Sequence, residues 1–180
     1  MGGQMAISII ITNQKIGKSH IYSELNHQGK REIVPTYRMI IFNESGTVQE
    51  FAVTRDTVVT AFGQKSPSKY GKDNECPPNK IKKPYLGHIR TDGEKGFRIE
   101  LYEPGIGKKG NRNRLKGTGK NIRRYIQIHL GPGKSEGCFL LKDWLKGRDN
   151  FKKTIVRLLR EDRDNDLKNP EQFIIRVQSR

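Results

Sequence analysis

Cysteine is scarce in this chain: Cys76 and Cys138 are its only two, far apart in sequence. No CxxC pair and no Cys/His cluster at zinc spacing occurs, which excludes a structural zinc module and a disulfide-stapled miniprotein. Long apolar runs are also missing; none approaches the ~20 residues a membrane-crossing helix needs. The opening "MGGQMAISIIITNQ" has no basic segment before its short apolar run, so it does not read as a secretory signal. Residues 1–5 read as an expression remnant and N-terminus, and residues 6–180 as one domain. Acidic residues are outnumbered, 19 against 35 Lys and Arg. The formal charge of +16 leaves two readings: a well-solvated surface, or attraction to a polyanion such as nucleic acid, an anionic membrane face or the cell envelope.

What is present is short apolar runs with strand periodicity. "AISIIIT" (6–12), "IVPTYRMIIFN" (33–43) and "TVQEFAVTR" (47–55) read as strands, the last two as a hairpin around "ESG". "PYLGHIRTDGEKGFRIELYE" (84–103) reads as strand, Asp-Gly turn region, strand. "YIQIHL" (125–130), "GCFLL" (137–141) and "EQFIIRVQSR" (171–180) complete the set. One stretch, 149–162, carries Phe151, Ile155, Leu158 and Leu159 at helical spacing, with Asp149 or Asn150 to cap it. Residues 63–83 and the basic, glycine-rich 104–124 read as long loops, the second as a substrate-facing flap. The expected fold is mostly β (α+β) with one main helix.

Chemistry concentrates in "IQIHLGPGKSEGCFLL" (126–141). His129 ends one strand-like run and Cys138 begins the next. Gly131, Pro132 and Gly133 offer a tight turn that would return the chain and set the two side by side. A free thiol is mostly protonated at neutral pH, so a nucleophilic cysteine needs a neighbouring base such as imidazole. The tetrahedral intermediate needs amide donors beside the nucleophile, for which the N–H groups of Gly137 and Cys138 are the natural candidates. Each residue alone also has a plain structural reading, as a hydrogen-bonded histidine and a small buried thiol.

This stretch resembles the active-site signature of the YkuD-like L,D-transpeptidase superfamily: a strand histidine, a variable connection, then Ser/Thr-x-Gly-Cys and apolar residues. His129, Ser135, Gly137 and Cys138 match it, with Phe139, Leu140 and Leu141 behind. The short connection is similar to that of small, signal-less members in phages and among type VI secretion effectors that act on peptidoglycan. The chain departs from the pattern at Glu136, where a second histidine is usual, and at Phe139 and Leu140, which replace a polar residue after the cysteine. The resemblance implies an L,D-transpeptidase-like β-sandwich. It implies a Cys138 nucleophile, a His129 base and Ser135 as an orienting hydroxyl, with no cofactor and no metal. Arg124, Tyr125, Lys134 and His88 are candidates to bind substrate.

The activity so implied is acyl transfer on peptidoglycan stem peptides through a Cys138 thioester. Hydrolysis, as an L,D-carboxypeptidase or endopeptidase, and transfer to an amine, as a transpeptidase or in D-amino acid exchange, both stay open. An enzyme without a signal peptide would be made in the bacterial cytoplasm and reach the periplasm or cell wall of a target cell by specialised secretion. As an antibacterial toxin it would have a cognate immunity protein. Two other classes also remain open. The run "GKKGNRNRLKGTGKNIRR" could grip nucleic-acid phosphates, although no known nucleic-acid-binding pattern accompanies it. A non-catalytic member that only binds stem peptides or a partner would share the same fold.

Overall fold

The computed structural model describes residues 7–22, 31–55, 76–106, 112–131, 138–161 and 173–179. It is mostly β with one helix, as the sequence periodicity implies. The strands are β1 (Ile7–Tyr22), β2 (Arg31–Phe42), β3 (Val48–Thr54), β4 (Tyr85–Arg90), β5 (Arg98–Tyr102), β6 (Arg114–Leu115), β7 (Arg123–Arg124), β8 (Gln127–Leu130), β9 (Phe139–Leu141) and β10 (Phe173–Val177). Eight of them hydrogen-bond in the closed cycle β1-β10-β4-β5-β8-β9-β3-β2, while β6 and β7 form a separate two-stranded ribbon. The cycle is mixed: β1/β10 and β8/β9 are parallel, the other pairs antiparallel.

Alternation decides which side chains face inward. Ile7, Ile9 and Ile11 of β1, Met39 and Ile41 of β2, Ile99 and Leu101 of β5, Ile128 of β8 and Phe139 and Leu141 of β9 share one buried core. Strand period two places every second residue on one face, so these positions turn inward together. Gly87 of β4 marks a close approach: a Cβ there would come within 2.7 Å of Ile175 Cδ1 and 2.8 Å of Ile99 Cγ2.

The helix α1 (Trp144–Glu161) adds Phe151, Ile155, Leu158 and Leu159 to that core. The Phe151 ring packs edge-on against Phe51 at 5.5 Å and against Phe97 at 6.0 Å. Its apolar stripe is the one legible in the sequence, but the helix begins at Trp144, five residues before the expected start. The chain turns directly from β9 into it: Gly147 N–H donates to the Asp143 carbonyl, and a Cβ on Gly147 would collide with the Lys142 carbonyl. A glycine at that point lets the helix start tight against the strand. Among the described residues no helix is long and apolar enough to cross a membrane.

Within the segment read as one flap, 104–124, residues 112–124 are tied to the body of the fold. Buried Glu103 accepts hydrogen bonds on Oε2 from the amides of Lys116 (2.8 Å) and Gly117 (2.7 Å). The Thr118 amide donates to the Pro78 carbonyl (2.9 Å), and the Tyr85 hydroxyl to that of Pro77 (2.7 Å). A buried carboxylate satisfied by two amides, together with Leu115 buried in the main core, holds this ribbon to the barrel wall.

Candidate active site

Strand β8 carries Gln127 and His129 on the face opposite the core residues Ile128 and, just before the strand, Ile126. Its parallel partner β9 pairs Ile128 with Phe139 and His129 with Leu140. One step back along that register, Cys138 stands opposite Gln127. The turn that the sequence suggests would make an antiparallel return; the strands are instead parallel, so His129 and Cys138 are diagonal neighbours on one face. One strand spacing and two residue rises separate their Cα atoms, about 8 Å. Gly131 lets β9 close in, since a Cβ there would lie 2.7 Å from Leu140 Cβ and 2.9 Å from the Leu141 carbonyl oxygen.

The two side chains are not bonded to each other in this state. The Cys138 thiol donates to the Tyr125 carbonyl at 3.4 Å. His129 Nδ1 lies 2.7 Å from the Leu130 carbonyl oxygen, which only a protonated nitrogen can use, so Nδ1 carries the hydrogen. Nε2 then holds a lone pair, and it is buried with no hydrogen-bond partner. Burial, followed by the charge of Lys95, pushes the ring's proton affinity down to about 3, against the opposing pull of the Leu130 carbonyl. At neutral pH His129 is therefore a neutral imidazole, an acceptor rather than a cation.

Tyr125, at the junction of β7 and β8, has φ of 56°, a left-handed backbone that a non-glycine residue seldom adopts. Its amide donates to the Asn113 carbonyl (3.0 Å), which turns its own carbonyl onto the thiol. Its side chain is exposed, as is that of Arg124 on β7. On the other side of Cys138, Val34 and Leu140 form a small apolar cluster with it. Val34 is also one wall of a cleft of about 720 Å³ lined by Lys15, Gly17, Lys18, Ile33 and Pro35.

His88 lies on the same outward face but three strands away, at β4, so by the ~4.8 Å strand spacing it is roughly 14 Å from Cys138. There its Nε2 is 3.4 Å from Glu100 Oε1. Ser135, Lys134 and Gly137 lie outside the described residues.

The face also holds residues that the sequence reading passed over. Cross-strand pairing lines up His88, Glu100 and Gln127 in the row that ends at Cys138, and Arg90, Arg98 and His129 in the next. Glu100 is buried and accepts from Gln127 Nε2 at 2.6 Å and from Arg90 Nη1 at 3.0 Å. Burial alone would push its carboxyl up, but the hydrogen bonds from His88, Gln127 and Arg90 outweigh it and hold Glu100 below its ordinary value. The alternating polar positions of "FRIELY" and "IQIHL" are the signal that could have found them. Cys76, the other thiol, is fully enclosed, and burial pushes it far above the ordinary range. Among the described residues no three His, Cys, Asp or Glu side chains are placed to hold a metal ion.

No protein-family model, curated protein or solved structure matches this chain.

Proposed function

We propose that this chain is a cysteine acyl-transfer enzyme acting on peptidoglycan stem peptides, built on an L,D-transpeptidase-like β-sandwich frame. The observation that carries the reading is the state of His129: Nδ1–H tied to the Leu130 carbonyl, Nε2 buried and unpaired, on the same face as Cys138 across the parallel β8/β9 pair. A buried lone pair without a donor is costly to maintain unless a donor arrives during function. The signature residues around Cys138 supply the substrate class.

In the reaction, the Cys138 thiol leaves the Tyr125 carbonyl and passes its proton to His129 Nε2. The sulfur attacks the carbonyl on the L-centre side of an L,D peptide bond. The amides of Gly137 and Cys138 receive the developing oxyanion. As the C–N bond breaks, His129 returns the proton to the leaving amine, and the acyl group remains as a Cys138 thioester. Water or an acceptor amine then attacks the thioester, restores the thiol and releases the acid or the new amide. His129 starts uncharged, so its Nε2 lone pair can accept the proton; burial weakens this base, and the negative charge of a thiolate on the same face opposes that effect. The chain is read as an antibacterial effector delivered to the cell wall of a target cell, with a cognate immunity protein as its partner.

Incubation of the protein with purified sacculi, followed by mass spectrometry of the muropeptides, tests the reading. Shortened tetrapeptide stems or D-amino acid exchange products are expected, and Cys138→Ala should abolish them. Unchanged stems with the parent protein would overturn it.

A further inference from the structure

The turn between β4 and β5 is unusually well braced for a surface loop. Asp92 bridges Arg90 (Nη2–Oδ2, 2.7 Å) and Arg98 (Nη2–Oδ1, 3.2 Å). Arg98 Nη1 donates to the carbonyls of Asp92 (2.5 Å) and Gly96 (2.9 Å). Gly93 and Gly96 take positive φ, 72° and 62°, and the Gly96 amide donates to the Gly93 carbonyl (3.2 Å). These contacts commit all three Arg90 nitrogens and both Arg98 Nη atoms to the turn and to Glu100, leaving only Arg98 Nε, which is buried, without a partner. They leave Lys95, exposed at the tip, with one polar contact among the described residues: Nζ to Gln127 Oε1 at 3.4 Å.

Gln127 is itself fixed. Its Nε2 donates to Glu100 Oε2, which orients the amide so that Oε1 faces Lys95. Gln127 stands opposite Cys138 and two residues before His129 on the same face. The relay from Glu100 through Gln127 therefore holds an ammonium at the Gln127 position of the row that ends at Cys138. Lys95 also acts on His129, where its charge opposes protonation more strongly than that of Arg98. An ammonium with two donors to spare, held at Gln127 two residues before His129, is placed to meet an anion.

We infer that Lys95, oriented by Gln127 and Glu100, is the specificity residue that receives the free carboxylate of the D-residue leaving from the scissile bond. The inference rests on the stem-peptide reading above. It adds Lys95 to the substrate-binding candidates Arg124 and Lys134 and gives the buried Glu100 a role, since Glu100 sets the rotamer of Gln127. The carboxylate of the leaving residue is two bonds from the departing nitrogen. Its capture by Lys95 would therefore place that nitrogen on the His129 side, where the proton must be returned.

Calorimetric titration of the Cys138→Ala protein with a stem tetrapeptide as its free acid, and with the same peptide as its C-terminal amide, tests this. The free acid should bind about tenfold more tightly. Lys95→Met in the same background should erase the difference by weakening the acid about tenfold, with the amide moving less than twofold; Lys95→Arg should keep the preference. Lys95 is exposed, so these variants do not disturb the core. Equal affinity for acid and amide in the parent, or a preference that survives Lys95→Met, would overturn the assignment while leaving acyl transfer standing. If neither peptide binds, the stem-peptide reading fails and the assignment with it. If the preference and its loss are seen but sacculi remain intact, the Lys95 site stands and the acyl-transfer reading fails.

Discussion

His129 Nδ1 lies 2.7 Å from the carbonyl oxygen of Leu130, its own neighbour in the chain. The ring hydrogen is thereby committed to the backbone, and the opposite nitrogen is left as a buried acceptor. Because burial lowers the folded-state proton affinity to about 3, below the ordinary 6.5 of an unfolded histidine, acid favours the unfolded chain. The stability this group contributes is fully present above about pH 6.5 and is lost as pH falls towards 3. At pH 5 the loss amounts to about 2 kcal/mol. Urea midpoints measured from pH 7.5 to 4.5 should fall accordingly, and His129→Gln should flatten that part of the curve. A parent curve with no decline over this range would show that His129 is not desolvated.

The two thiols should differ in reactivity. Both are buried, but burial pushes Cys76 far up, whereas Cys138 shares one face of β8/β9 with the unpaired Nε2 of His129. A small electrophile at pH 7.5, followed by peptide mapping, should modify Cys138 more than ~10-fold faster than Cys76. His129→Gln should slow the Cys138 reaction by roughly 10-fold or more. Faster labelling of Cys76 would contradict the site geometry.

Gly117 has φ of 51°, and a Cβ there would collide with the Tyr85 hydroxyl and the Pro78 carbonyl. Gly117→Ala should therefore cost roughly 2 kcal/mol or more, from backbone strain and the forced displacement of Tyr85. Glu103→Gln weakens the anchor from the other side by exchanging charge-assisted for neutral hydrogen bonds with the Lys116 and Gly117 amides, and should cost about 1–2 kcal/mol. Chemical denaturation measures both, and protease cleavage within 112–125 should accelerate in each variant.

Phe151 is the central contact of the helix, completely buried between Phe51 and Phe97. Phe151→Ala should cost about 3–5 kcal/mol through lost transfer free energy and the cavity left behind. Phe151→Leu should cost less than half of that. A loss below 1 kcal/mol for alanine would mean that the helix does not pack into the barrel core.

Much of the fold is written in local pattern. The apolar alternations at 6–12, 33–43, 47–55, 84–103 and 125–130 mark strands, and the stripe Phe151, Ile155, Leu158, Leu159 marks the helix, because burial of one face imposes a period on each element. The helix start was not legible. It depends on how closely the Lys142 carbonyl approaches Gly147, a contact made only when β9 is in place.

For the candidate site, the sequence by itself determined the identity of its two reactive groups, His129 and Cys138, and the polar alternation of Arg98, Glu100 and Gln127. It did not determine that β8 and β9 run parallel, which sets Cys138 opposite Gln127 instead of His129. Nor did it reveal that Lys95, over thirty residues away in sequence, hangs over that row. Register between strands is chosen by the packing of every inward side chain at once, here Ile128 against Phe139 and Leu130 beside Leu141. That choice belongs to the closed sheet as a whole, so only the tertiary structure could decide which polar groups would meet on its outer face.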